Sequence, residues 1–119
     1  MTAKRVTPML LSADVDASAA LYVGLGFTRR ETEDAGCLGL VSADGTGLML
    51  LDRDYARRSM SSDAVDVLAE AGGLYVWVDE LPTCEEAETL GEARTEYGTH
   101  ERFVKQDGRL VVYAQKLAA

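Results

Sequence analysis

One pattern constrains this chain more than any other: the order strand, helix, strand, strand, strand occurs twice. The first run opens at Arg5 to Ser12, an apolar stretch whose Pro8 favours an edge strand. Asp14 or Asp16 is placed to cap a helix whose apolar side includes Ala17, Leu21 and Leu25, with Gly26 as the residue past its end. Phe27 to Glu33 and Cys37 to Ser42 read as a strand pair, Asp44-Gly45 as a hairpin turn, and Leu48 to Leu51 as the fourth strand. The second run opens at Leu74 to Val78. After Pro82, Thr83-Cys84-Glu85-Glu86 has the capping-box pattern and predicts a helix ending near Leu90, with Gly91 past its end. Arg94 to Tyr97 and His100 to Lys105 read as strands. Asp107-Gly108 repeats the hairpin signal, and Leu110 to Gln115 is the last strand. Two Asp-Gly turns at matching places mark an internal repeat. Between the runs, Arg53 to Ala71 is polar, serine-bearing and mixed in charge. It reads as a connector with a short helix at Asp63 to Ala69, and a connector this long is either a linker or a functional lid.

With 119 residues the chain fits one domain, 1–119, divided into module one (1–52), connector (53–71) and module two (72–119). Its net charge of -8 repels a phosphate backbone, so nucleic acid is not an expected partner, and a cationic or neutral ligand suits it better. Cys37 and Cys84 form no zinc-type spacing and read as reduced core residues. The N-terminal apolar stretch is too short for a signal peptide and no run approaches a membrane span, so a cytoplasmic protein without membrane contact is expected.

Asp14, Ser18, Leu21-Tyr22 and Leu25-Gly26-Phe27 resemble the opening pattern of the vicinal oxygen chelate superfamily, the group of glyoxalase I, extradiol dioxygenases and bleomycin-resistance proteins. Val78-Asp79-Glu80 and Asp107-Gly108-Arg109-Leu110-Val111 are similar to its second module. The resemblance covers nearly the whole chain. It implies an α+β fold of two βαβββ modules, each a curled mixed sheet with a helix on its outer face, together forming a cup-shaped cavity. It also implies a homodimer, since modules from two chains often complete each cavity in this group.

The superfamily's enzymes hold a divalent metal with His and Glu near the start and end of each module. The corresponding positions here are Thr7, Gly73, Met49 and Val112, and none is a carboxylate or imidazole. A one-residue slip brings in no better donor. No metal or cofactor is therefore expected, and metal-dependent lyase or dioxygenase activity is disfavoured.

Strand alternation places Thr7, Met9 and Leu11 on the cup face. Gly73, Tyr75 and Trp77 join them, with Gly47, Met49, Leu51, Leu110 and Val112, while Leu48, Leu50, Leu74, Val76 and Val78 take the opposite face. This predicts an apolar cup with two aromatics and no acid–base pair. The candidate ligand contacts are Trp77, Tyr75, Met9, Leu11, Met49, Leu51, Leu110, Val112, His100 and Phe103; Trp77 and Tyr75 would serve equally well as core in an arbitrary protein. His100, the only histidine, lies in a segment that approaches the cavity rim in the superfamily. No residue is assigned a catalytic role. Resemblance to the bleomycin-resistance branch implies a metal-free protein that sequesters a small aromatic, hydrophobic or cationic natural product. The alternative is a metal-free isomerase or cyclase, in which Asp79, Glu80, Glu101 or His100 would act as base.

Overall fold

The computed structural model describes residues 2–83 and 87–117. Along the chain run β1 (Ala3–Leu11), α1 (Val15–Gly24), β2 (Thr28–Glu31), β3 (Cys37–Val41), β4 (Gly47–Leu51), α2 (Arg53–Ser59) and α3 (Ser62–Ala71). They are followed by β5 (Gly73–Val78), β6 (Glu88–Arg94), β7 (Thr99–Gln106) and β8 (Arg109–Lys116). The strands form one curled sheet in the order β2-β3-β4-β1-β5-β8-β7-β6. At its centre β1 and β5 pair antiparallel; β1 pairs parallel with β4, and β5 parallel with β8. Each module thus supplies four adjacent strands, arranged alike on either side of the β1–β5 pair. Asp107 and Gly108 close the β7–β8 hairpin with φ of 52° and 75°, the positive pair that a two-residue turn requires.

The two faces of the sheet divide by strand alternation. Met9, Leu51, Tyr75, Leu110 and Val112 share one buried cluster with Leu11, Met49 and Trp77 at its edge. Leu38, Leu40 and Leu50 lie in a second cluster under α1, and Val76, Val78, Val104, Val111 and Tyr113 in a third.

Helix α1 is capped by Asp14, whose side chain accepts from the Ala17 N–H at 3.0 Å. Its buried side is Val15 and Ala19, with Tyr22 packed edge-on to Phe27, and not the predicted Ala17, Leu21 and Leu25. Leu21 and Leu25 are 74% and 76% exposed. The helix carries apolar residues all round, so spacing alone picks no face; the Ser12–Ser18 hydroxyl contact at 2.6 Å helps fix the one used.

The predicted helix from Thr83 to Leu90 is the main departure. Residues 84–86 of its capping box lie outside the described residues, as does Cys84, and from Glu88 the chain is strand β6 paired with β7. Gly91 sits at φ 154° beside a register shift, with its Cβ position 3.2 Å from Ser61 Cβ. The connector, expected to hold a short helix at Asp63 to Ala69, folds into α2 and α3, the latter over that segment. Ser61 caps α3 and its hydroxyl also donates to the Leu90 carbonyl at 2.8 Å, tying the helix start to β6. Ala64, Val65, Val67 and Leu68 are buried on the concave face of the sheet. Burial contributes roughly 1.5–3 kcal/mol for each large side chain, whereas propensity differences are about 0.7 kcal/mol or less per residue. Packing therefore decides where the helix forms. Among the described residues no helix is long and apolar enough to cross a membrane.

Candidate functional site

Helices α2 and α3 cover one end of the concave face and leave the other open. What remains is a cavity of about 800 Å³. Met9, Met49, Leu51, Tyr75, Trp77 and Val112 form its floor. Tyr55, Arg58 and Met60 close it from the α2 side, Asp34 from the β2–β3 loop and Cys37 from the start of β3, and Ala93, Tyr97 and Glu101 from β6, the β6–β7 turn and β7. Four other predicted contacts lie elsewhere. Leu11 lines a separate cavity of about 470 Å³ beside Ser12 and Asp52. Leu110 and Phe103 are on the predicted face but sealed beneath α3, at 0% and 2% exposure. His100 points to the opposite face, where its Nε2 stands 3.6 Å from Glu92 beside Arg102. Strand alternation along β7 turns Thr99, Glu101 and Phe103 inward and His100 and Arg102 outward.

The cup is therefore not without an ionisable group. Glu101, 4% exposed, extends from β7 into the cavity wall. Its Oε2 accepts from the Tyr75 hydroxyl, from the Tyr97 hydroxyl at 2.7 Å and from the Thr99 hydroxyl at 2.9 Å. A tight turn makes this possible. The Thr95 N–H donates to the Thr99 carbonyl at 2.9 Å, and Gly98 at φ 89° lets the chain reverse, so that Tyr97 folds back onto Glu101. Tyr97 leaves most of its ring in solvent while its hydroxyl turns inward. All three donors converge on Oε2. Oε1 has no hydrogen-bond partner among the described residues, and no fully buried side-chain polar atom among them is unpaired, so Oε1 opens to the cavity. Burial, then the Glu101 charge, pushes the Tyr75 phenol far above its usual range; burial, then the Glu101 hydrogen bond, raises Tyr97. Both phenols therefore stay protonated donors across ordinary pH. The sequence named Glu101 only among the possible bases and placed His100, one position away on β7, among the cavity contacts; the period-two pattern Thr99, Glu101, Phe103 was the available signal.

The remaining wall is mixed in charge. Arg58 reaches Asp34 at 2.8 Å and stacks over Tyr55 at 5.7 Å. Its hydrogen bond holds the Asp34 carboxyl below the usual carboxylate range. Arg5 lies over Trp77 at 5.9 Å, and Trp77 meets Tyr75 edge-on at 5.6 Å. Burial pushes the Cys37 thiol up, which makes it a packing residue and a poor nucleophile.

No protein-family model and no curated protein matches this sequence; solved structures do. A hypothetical protein from Bacillus halodurans C-125 aligns over 100% of this chain and 98% of its own, at 13% identity and a TM-score of 0.68. A glyoxalase/bleomycin resistance protein/dioxygenase superfamily member from Vibrio splendidus 12B01 aligns over 97% of this chain and 100% of its own, at 19% identity and a TM-score of 0.59. The chain has the vicinal oxygen chelate fold. A bleomycin-binding protein complexed with bleomycin aligns over 95% of this chain and 98% of its own, at 22% identity and a TM-score of 0.41.

Within the vicinal oxygen chelate fold, the four metal positions do not fit a cation. Gly73 is buried, and a Cβ there would lie 2.9 Å from the Leu110 carbonyl oxygen and 3.2 Å from Leu68 of α3, so no ligating side chain has room. Met49 and Val112 are apolar floor, and Thr7 pairs with Tyr75. Among the described residues no three His, Cys, Asp or Glu side chains gather.

Proposed function

We propose that this protein binds a flat, largely apolar small molecule in the cavity and holds it unchanged, as a sequestering protein for an antibiotic or other natural product. The observation that carries this reading is the cavity itself: about 800 Å³, floored by Trp77, Tyr75, Met9 and Met49 and open at one end. That volume lies in the range of drug-sized ligands. A ligand that loses about 300 Å² of apolar surface to such walls gains roughly 7 kcal/mol before ordering costs. Methionine walls adapt to varied shapes, and the net charge of -8 draws cations toward the site.

A second reading has its own support. A carboxylate oxygen open to the cavity, beside two phenols, is an arrangement that can move a proton, as a metal-free isomerase or cyclase requires. The fate of the ligand separates the two. Bleomycin-type, enediyne and polycyclic aromatic antibiotics are incubated with the protein, stripped from it and weighed by mass spectrometry. Recovery of the bound compound intact supports sequestration; a changed mass, or a changed retention time at the same mass, supports the enzyme.

The protein is further proposed to form a homodimer with two equivalent cavities. Exposed Leu21, Val23 and Leu25 on α1 are a ready apolar contact. The cavity is complete within one chain, so pairing is not needed to build it.

A further inference from the structure

Sheet register aligns the parts of this cavity in one row. Arg5 pairs with Trp77, Trp77 with Ala114, Ala114 with Glu101, and Glu101 with Ala93. The row crosses five neighbouring strands on the concave face. Trp77 and Glu101 stand two strand spacings apart, about 9.6 Å. Between them Ala114 is fully buried, and the Tyr75 side chain spans the gap, with its hydroxyl on Glu101 and its ring edge-on to Trp77. The cavity wall thus carries an indole, a phenol and a carboxylate side by side. A substituted aromatic ring lying against Trp77 and Tyr75 faces this carboxylate.

We propose that the cavity selects aromatic ligands bearing a protonated amine, with the ring against Trp77 and Tyr75 and the ammonium N–H donating to Glu101 Oε1. The inference rests on the binding reading above and names its ligand class. Three features point to a cation. Oε2 is saturated by Tyr75, Tyr97 and Thr99, so the carboxylate is held rigidly and Oε1 is its open acceptor. None of those partners carries positive charge, and among the described residues no Lys or Arg forms an ion pair with Glu101. Arg58, the cation on the α2 side, is engaged by Asp34. A buried carboxylate with hydroxyl partners only leaves its charge to be met by the ligand. Arg5, stacked on Trp77 at the far end of the row, and Arg94 on the cavity wall are the competing features; they would favour an anionic ligand instead.

Three probes of one shape decide between them: 1-naphthylmethylammonium, 1-naphthalenemethanol and 1-naphthoate. Trp77 is the only tryptophan, so its indole N–H gives one cross-peak in a nitrogen–proton correlation spectrum. The expected result is that all three probes, or the first two, shift this peak, with the ammonium binding about tenfold or more tighter than the alcohol. In Glu101→Gln, whose remaining cross-peaks report whether it folds, that preference disappears. The ranking on the unaltered protein stands as a test even if the variant does not fold. Equal affinities, or tightest binding of the naphthoate, would overturn the assignment of Glu101 and leave the cavity reading intact. No movement of the Trp77 peak with any probe would overturn both.

Discussion

At the scale of single residues, the Glu101 cluster dominates. Tyr75 is largely buried and its hydroxyl donates to Glu101, so Tyr75→Phe withdraws one of the three donors on that carboxylate. A loss of about 1–3 kcal/mol in urea unfolding is expected. Tyr97→Phe, at the solvent edge, should cost about 1 kcal/mol or less, because water can take the vacated place. The same phenols set a pH dependence. Their folded pKa values lie above the unfolded value, so the folded state holds those protons more tightly. Their contribution is complete below about pH 10, the unfolded phenol value, and is lost as pH rises beyond it. Stability followed by circular dichroism should be insensitive to these groups near neutrality and fall above that point, less steeply in Tyr75→Phe. Alternation was enough to place Met9, Met49, Leu51, Tyr75, Trp77 and Val112 on the cavity floor. It could not show that Leu110 and Phe103 lie under a helix, because a buried contact and a cavity wall share one strand pattern. Glu101 was named only as one of several possible bases, since its worth depends on a turn that folds Tyr97 back four residues.

At the scale of elements, α3 is what gives the cavity its shape. It fills one end of the concave face with Ala64, Val65, Val67 and Leu68 and leaves Trp77 and Glu101 on the cavity wall. Leu68→Ala should cost about 2–5 kcal/mol, as removal of a fully buried leucine does. Ser61→Ala removes both the cap and the bond to Leu90, with an expected loss of about 1–2 kcal/mol. Most strands and both Asp-Gly hairpins were legible because period-two patterning and turn chemistry are local signals; Arg94 to Tyr97, expected as a strand, is instead the end of β6 and the turn before β7. The connector helix expected at Asp63 to Ala69 was legible too, and α3 extends it to Ser62–Ala71. The helix expected from Thr83 was not: the chain enters strand β6 at Glu88, and α3 forms where a buried stripe meets the sheet. A capping motif satisfies a few backbone groups, while tertiary burial supplies several times that energy.

At the scale of the whole molecule, the doubled pattern became one continuous sheet. The two modules meet at β1 and β5 within a single chain, and the cavity draws on both: Met9 and Met49 from the first, Tyr75, Trp77 and Glu101 from the second. The fold was legible from the repeat. What the cup holds was not, because Trp77, Tyr75 and Glu101 are brought together only by register across neighbouring strands, which no linear spacing displays. Light scattering at micromolar concentration checks the assembly, with twice the chain mass of 12.9 kDa expected and the single-chain mass contradicting the proposed homodimer. The central claim is that an open cavity beside Trp77 takes a small molecule, and Trp77 fluorescence tests it most directly. Titration with bleomycin-type, enediyne and polycyclic aromatic antibiotics should give saturable quenching with at least one class. Blue, rigid emission that no compound alters would mean that Trp77 sits in closed core, and would contradict the account.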